Sequence, residues 1–279
     1  MKIKTNYLKI TRMLLAISIL CIVFLVTKGC KEVDSFKDKE EIGNEQALSP
    51  MTRSGVELSW NYPVKPGMAT WYSLQTEDER IAVLQVPEHI LATISSEEVV
   101  GLCIELPAFF LFTAFNTPQE GFDTMLERYN ILRYILTRND LGSSLIAAYK
   151  DASLSGFRTL PYSDEFWSIK LLYFELLLSQ KEILRFMTPD EKLELITEAR
   201  LKFLEKTNNE KFSSLPGLLF SLKIMASILN IEEYEEFIAS PKKEAITKFI
   251  NTGWWFEEVP PIDEIYRITD NYINAKSLQ

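Results

Sequence analysis

Apolar positions along this chain recur mostly at three- and four-residue spacing, the period of a helix buried on one face. Over Pro189–Lys206, Leu193, Ile196, Ala199, Phe203 and Leu204 fall on one side, with charged residues mostly opposite. Asp164–Ser179 differs, because apolar residues cover most of its circumference. Its polar stripe is narrow, comprising Asp164, Ser168, Glu175 and Ser179. So little polar surface predicts a central helix packed on several sides. Lys170 sits off that stripe and must either snorkel or meet an acid, so a buried ion pair is expected there.

Helix starts are written into the sequence. Thr76-Glu77-Asp78-Glu79 and Ser95-Ser96-Glu97-Glu98 each place a hydroxyl three residues before a glutamate, the pattern that satisfies otherwise unpaired N–H groups of a first turn. Thr117-Pro118-Gln119-Glu120 and Thr188-Pro189-Asp190-Glu191 add proline at the first helical position, where its missing N–H matters least. Ser240-Pro241 opens a further helix without the acidic partner. No strand alternation or hairpin signal interrupts the series. Val56–Trp60, ahead of Pro63, Pro66 and Gly67, reads as an irregular docking arm.

The helices are short and punctuated by Pro107, Pro161 and Pro260-Pro261, and no repeat of fixed period is present. The pattern predicts an all-α fold: an irregular multi-helix assembly, with solenoid-like helix pairs, rather than a four-helix bundle. Gly156 and Pro161 mark a candidate seam at residues 153–163.

The first residues follow different rules. Met13–Val26 is apolar but for Ser18, about fourteen residues against the roughly twenty of a membrane span. Lys2, Lys4, Lys9 and Arg12 precede it with no acid, which predicts a secretory signal peptide. Gly29 directly precedes Cys30, as in the relaxed lipobox of a bacterial lipoprotein, so Cys30 is the expected lipidation site. Cys21 lies inside the apolar run after bulky Leu20 and fits that role less well. The chain therefore divides into a signal peptide (1–29), a lipidated cysteine with a flexible tether (30–55) and a helical domain (56–279). The tether is mixed in charge and too poor in apolar residues to offset the entropy of ordering.

Charge sharpens this picture. The whole chain carries 30 basic and 39 acidic residues, net −9. The signal peptide takes five of the basic residues and none of the acidic ones, leaving 25 against 39, net −14. Such a surface repels phosphate backbones and excludes nucleic acid as a partner. It also repels anionic lipid heads, so contact with the membrane falls to the N-terminal lipid. Neutral, cationic or apolar partners remain, a protein or glycan of the envelope among them. Of the three cysteines, removal of Cys21 and acylation of Cys30 leave only Cys103. Stability then rests on packing rather than disulfides.

Catalytic signatures are scarce. His89 is the single histidine and stands in a predicted first turn, a setting for a partly exposed polar side chain. No metal-ligand spacing surrounds it, and neither a metal nor a cofactor is expected. Cys103, in VVGLCIEL, is read as a small buried hydrophobe rather than a nucleophile. Glu97/Glu98, Glu232/Glu233, Glu235/Glu236 and Glu257/Glu258 are sequence neighbours, which on a helix point about 100° apart and form solvated faces. Glycoside hydrolysis needs two acids facing across a cleft instead. Leu106–Phe115, LPAFFLFTAF, is assigned to the core. Trp254, Trp255 and Phe256 follow a helix ended by Asn251-Thr252-Gly253. Adjacent rings cannot all face one core direction: either Trp254 and Phe256 staple the last helix to the body with Trp255 on a rim, or a ring is free to meet a partner, which makes the three the candidate partner-binding residues.

The stretch WNYPVKPGMATWYSL, with Val86-Pro87-Glu88, the Ser95 start, Leu106-Pro107-Ala108-Phe109 and Asn116 through Gly121-Phe122, resembles an uncharacterised family of helical lipoproteins from Bacteroidota. The resemblance covers Trp60–Arg138 and implies an exported protein of the outer membrane or cell surface with a helical fold. It implies no activity and no catalytic residues. The expected function is that of a noncatalytic, lipid-anchored binding or scaffold protein of the cell envelope. The alternative is an envelope glycan- or peptide-processing hydrolase whose carboxylates the fold brings together.

Overall fold

Hydroxyl-capped starts open several of the helices in the computed structural model, which describes residues 58–152, 164–209, 215–253 and 260–278. Among the described residues there are fourteen α-helices, one 3₁₀ helix and no strand. The first four α-helices are α1 (Ala69–Ser73), α2 (Glu77–Ala82), α3 (Glu88–Leu91) and α4 (Ser96–Ile104). A 3₁₀ helix, Phe109–Ala114, precedes α5 (Pro118–Arg128), α6 (Asn130–Ile135) and α7 (Gly142–Asp151). Then come α8 (Asp164–Leu178), α9 (Lys181–Phe186), α10 (Pro189–Thr207) and α11 (Leu215–Ile231). The last three are α12 (Glu235–Ile238), α13 (Lys243–Thr252) and α14 (Ile262–Ser277).

Thr76, Ser95 and Thr188 form complete capping boxes at the starts of α2, α4 and α10. At Thr188, the Glu191 amide donates to Oγ1 at 3.2 Å while the Thr188 amide donates to the Glu191 carboxylate at 2.8 Å. Thr117 caps α5 through the Glu120 amide, with Pro118 in the first turn. Ser240 is displaced from its expected role. The helix begins later, at Lys243, because Ser240 first closes a turn in which its carbonyl accepts from the Lys243 amide. Its hydroxyl donates instead to Glu264 at 2.9 Å, tying the approach to α13 onto α14.

The helices pack irregularly around α11. Within Leu218–Leu229 nearly every side chain is buried, and α8, α9, α10, α12, α13 and α14 all pack against it. As expected, α8 is packed on several sides, against the 3₁₀ helix, α5 and α11, while α11 forms the axis of the core. Phe109, Phe112, Phe122, Tyr173 and Phe220 interlock where the 3₁₀ helix and α5 meet α8 and α11. The assignment of LPAFFLFTAF to the core holds for Leu106, Ala108, Phe109 and Phe112, while Phe110 lies at the surface. From Leu58 up to α1 the chain is irregular. The Ser59 amide donates to Glu98, Trp60 meets Tyr62 edge-on, and the buried Tyr62 hydroxyl donates to the Leu102 carbonyl at 3.0 Å. The candidate seam at residues 153–163 lies outside the described residues.

The end of α11 carries one strained residue. Glu233 has φ 47°, the left-handed region, where its amide donates to the Asn230 carbonyl and that of Tyr234 reaches back to Leu229. This six-to-one and five-to-two pairing ends many helices and normally uses glycine. The Glu233 side chain is exposed, so Glu233→Gly removes the Cβ clash at little loss of contact. Its expected effect is a gain of about 1 kcal/mol, read as an upward shift of the urea midpoint with unchanged slope.

Candidate functional site

Cys30, Trp254, Trp255 and Phe256 lie outside the described residues, as do Glu257 and Glu258. The turn leading into the aromatic run is described. Gly253 adopts φ +72° directly after α13, and its amide donates to the Phe249 carbonyl at 2.7 Å. It is buried, and a Cβ placed there would stand 3.4 Å from Cδ of Lys223 and 3.6 Å from Cβ of Pro118. Thus the residue preceding Trp254 is seated where α13, α11 and α5 converge.

His89 and Cys103 are kept apart by their environments. His89 is exposed in the first turn of α3. Cys103 is fully buried in α4, its thiol directed at the Ile131 carbonyl at 3.7 Å, and burial pushes its pKa far above the usual thiol value. With Cys21 and Cys30 replaced by serine, folded protein is expected to react with a thiol reagent on the order of a hundredfold slower than unfolded protein. Rapid labelling at neutral pH without denaturant contradicts that burial.

The described carboxylate neighbours diverge, as helical geometry requires. Glu98 closes the Ser95 capping box while Glu97 accepts from Ser144 at 3.2 Å. Glu232 meets Lys192 at 2.7 Å, whereas Glu233 faces solvent. Glu236 accepts from Arg267 and Asn271, and Glu235 is exposed. Hydrogen bonds from Asn271 and Arg267 hold the Glu236 carboxyl below its ordinary pKa. Among the described residues no group of three or more His, Cys, Asp or Glu side chains could hold a metal ion.

The chemistry that the fold does gather is internal and lysine-based. Lys170, Lys192, Lys202, Lys206 and Lys223 are all buried. Lys170 meets Glu105 at 2.7 Å, the ion pair expected from its place on α8. Lys192, Lys202 and Lys206 widen the buried face of α10, which keeps the expected Ile196, Ala199 and Phe203 but not Leu204. The buried face runs through Lys192, Leu195, Ile196, Ala199, Lys202, Phe203 and Lys206, while Leu204 and Leu201 are exposed. Lysine takes apolar positions there because an acid waits for each: Glu232, Glu198 at 3.3 Å and Glu175 at 2.5 Å. Lys202 also donates to the Ala152 carbonyl at 2.8 Å and lies over the Tyr149 ring.

Glu175 and Lys206 form the centre of this system, and neither side chain has any solvent exposure. Glu175 Oε1 accepts from Tyr149 at 2.6 Å and from Ser221 at 2.7 Å, and Oε2 accepts from Lys206. Lys206 donates in addition to the Ser221 hydroxyl at 2.9 Å. Four helices, α7, α8, α10 and α11, are joined through one carboxylate. Burial draws the Lys206 ammonium below its usual pKa, opposed by Glu175. With all its acceptors occupied, the cluster fixes helix register, as satisfied internal networks do.

Lys223 is different. Its Nζ donates to the Ile250 carbonyl in the last turn of α13, and among the described residues no carboxylate lies in ion-pair range. Burial pulls its pKa down to about 7, and Asp123 of α5 only partly opposes this. Sequence reasoning passed over this residue, although a signal was present. Lys223 is the one charged residue in LPGLLFSLKIMASILNI, the whole of α11. A search against family models, curated proteins and solved structures returns no match to this chain.

Proposed function

We propose that this chain is a noncatalytic, lipid-anchored helical protein of the bacterial cell envelope that binds or scaffolds a protein or glycan partner. The Gly29-Cys30 junction after an apolar run with a purely basic flank carries the anchoring part. Lipid at Cys30 would add membrane affinity of about 0.8 kcal/mol per buried CH₂ group, and the acidic body would stand away from anionic headgroups. The resemblance to helical Bacteroidota lipoproteins supports an outer-membrane or surface location.

A binding role is favoured by what the acids do. Glu175, Glu98, Glu105, Glu232 and Glu236 each hold a cap, a lysine or an arginine in place, and a carboxylate committed in this way is a structural group. Trp254, Trp255 and Phe256 are the proposed contact residues. The anchoring part is tested by labelling cells with a palmitate analogue. Wild-type protein is expected to incorporate label and Cys30→Ala to lose it; equal incorporation rejects lipidation at this cysteine.

A further inference from the structure

We propose that Lys223 is a proton-operated latch, whose uptake of a proton releases α13 and the Gly253 turn from the body of the protein. Three features of the geometry support it. Of the five buried lysines among the described residues, four have a carboxylate within ion-pair range, and Lys223 does not. Its amine instead spans two elements, leaving α11 and donating to the Ile250 carbonyl of α13. Gly253, directly after α13, is buried beside the same lysine: a Cβ placed on it would stand 3.4 Å from Cδ of Lys223 and 3.6 Å from Cβ of Pro118 of α5.

The direction of the switch follows from solvation. A neutral amine satisfies the Ile250 carbonyl at little desolvation cost. An ammonium at the same place gains a stronger bond to a helix C-terminus, but it loses its hydration and, among the described residues, has no acid in ion-pair range. Among the described residues Asp123 on α5 is the one charged group acting on it, while α13 offers a carbonyl and Gly253 offers no side chain. Burial dominates, and the proton affinity falls to about 7 in pKa. Opening α13 returns the amine to water and to an ordinary lysine pKa of about 10.4. The open state therefore binds the proton more tightly. Opening becomes easier as pH falls from about 10 towards 7, and it levels off below that.

The helix is suited to such release. Its fully buried contribution is Ile246 and Phe249, a small apolar face compared with that of α11. Local opening draws on segments with few buried contacts. Release also frees the turn that leads into Trp254, which gives the latch a route to the proposed contact residues.

Hydrogen exchange of the full chain, corrected for intrinsic rates, tests this proposal. Protection of α13 amides is expected to fall about tenfold between pH 8 and pH 6 and to change little from pH 6 to pH 5. Amides of α14 serve as the internal reference and should not follow. Lys223→Met, which keeps the stem and removes the amine, should show pH-independent protection of α13. A flat wild-type profile overturns the latch, as does the same profile in Lys223→Met or a parallel loss in α14. Should the methionine variant fail to fold, the wild-type comparison of α13 with α14 still decides.

Discussion

Replacing Lys206 with methionine is expected to lower the unfolding free energy by about 3–5 kcal/mol. The lost Coulomb attraction is the smaller part of that figure. Lys206→Met leaves the Glu175 carboxylate in a site without solvent, held only by the Tyr149 and Ser221 hydroxyls. An unpaired buried charge is far more costly than a missing contact. Glu175→Gln should be similarly harmful, because the ammonium then loses its counter-ion. The two changes together remove both charges, and a glutamine oxygen can still accept from Tyr149 and Ser221. The double variant is therefore expected to lie within about 2 kcal/mol of wild type, far from the sum of the single losses. Urea unfolding of the four proteins at neutral pH measures this. Additive losses, or a Lys206→Met loss below about 1 kcal/mol, contradict a buried charged pair.

The same pair marks the boundary of what could be read from the sequence. Helix starts are local chemistry: a hydroxyl and a glutamate three residues apart satisfy each other wherever the chain goes. Thr76, Ser95 and Thr188 were legible for that reason. Lys170 was legible because an otherwise apolar helix left it nowhere to point, although its partner Glu105 was not. Lys192, Lys202 and Lys206 were hidden by an assumption that lysine marks the solvent side. The partners of Lys192 and Lys206 are Glu232, just past the end of α11, and Glu175 on α8, forty and thirty-one residues away in the chain. Only packing brings such groups together. The candidate contact residues illustrate the converse. Their turn, ended by Gly253, was visible as a helix stop, whereas its seat against Lys223 and Pro118 required three helices in place.

These internal pairs also change what the surface offers a partner. Five lysines are withdrawn from solvent, and Glu175, one of the acids that hold four of them, is fully buried as well. The surface is thus poorer in cations than the residue count implies. For a chain already net −9, this favours neutral or basic partners and disfavours anionic ones.

Gly121→Ala is expected to destabilise the protein by about 2–3 kcal/mol, although alanine is the better helix former by roughly 1 kcal/mol. Gly121 lies in the first turns of α5, against the 3₁₀ helix. A Cβ there would fall 2.5 Å from the Phe112 carbonyl oxygen, 2.6 Å from its Cα and 2.9 Å from its carbonyl carbon. These are backbone atoms and cannot swing aside. To make room, α5 and the 3₁₀ helix must separate, which opens the contacts of Phe112 and Phe122 with Tyr173 and of Phe112 with Phe220. Dispersion falls steeply with such gaps, so aromatic packing is lost along with the strain. Gly101→Ala in α4 supplies the control. Its new Cβ meets chiefly the Cδ2 end of the Leu58 side chain at 2.9 Å, which can rotate away, and the helix-propensity gain should leave stability within about 1 kcal/mol of wild type. Denaturant midpoints of the two variants distinguish a backbone contact from a side-chain one. If Gly121→Ala is as stable as Gly101→Ala, the close approach of α5 to the 3₁₀ helix is not what that glycine provides.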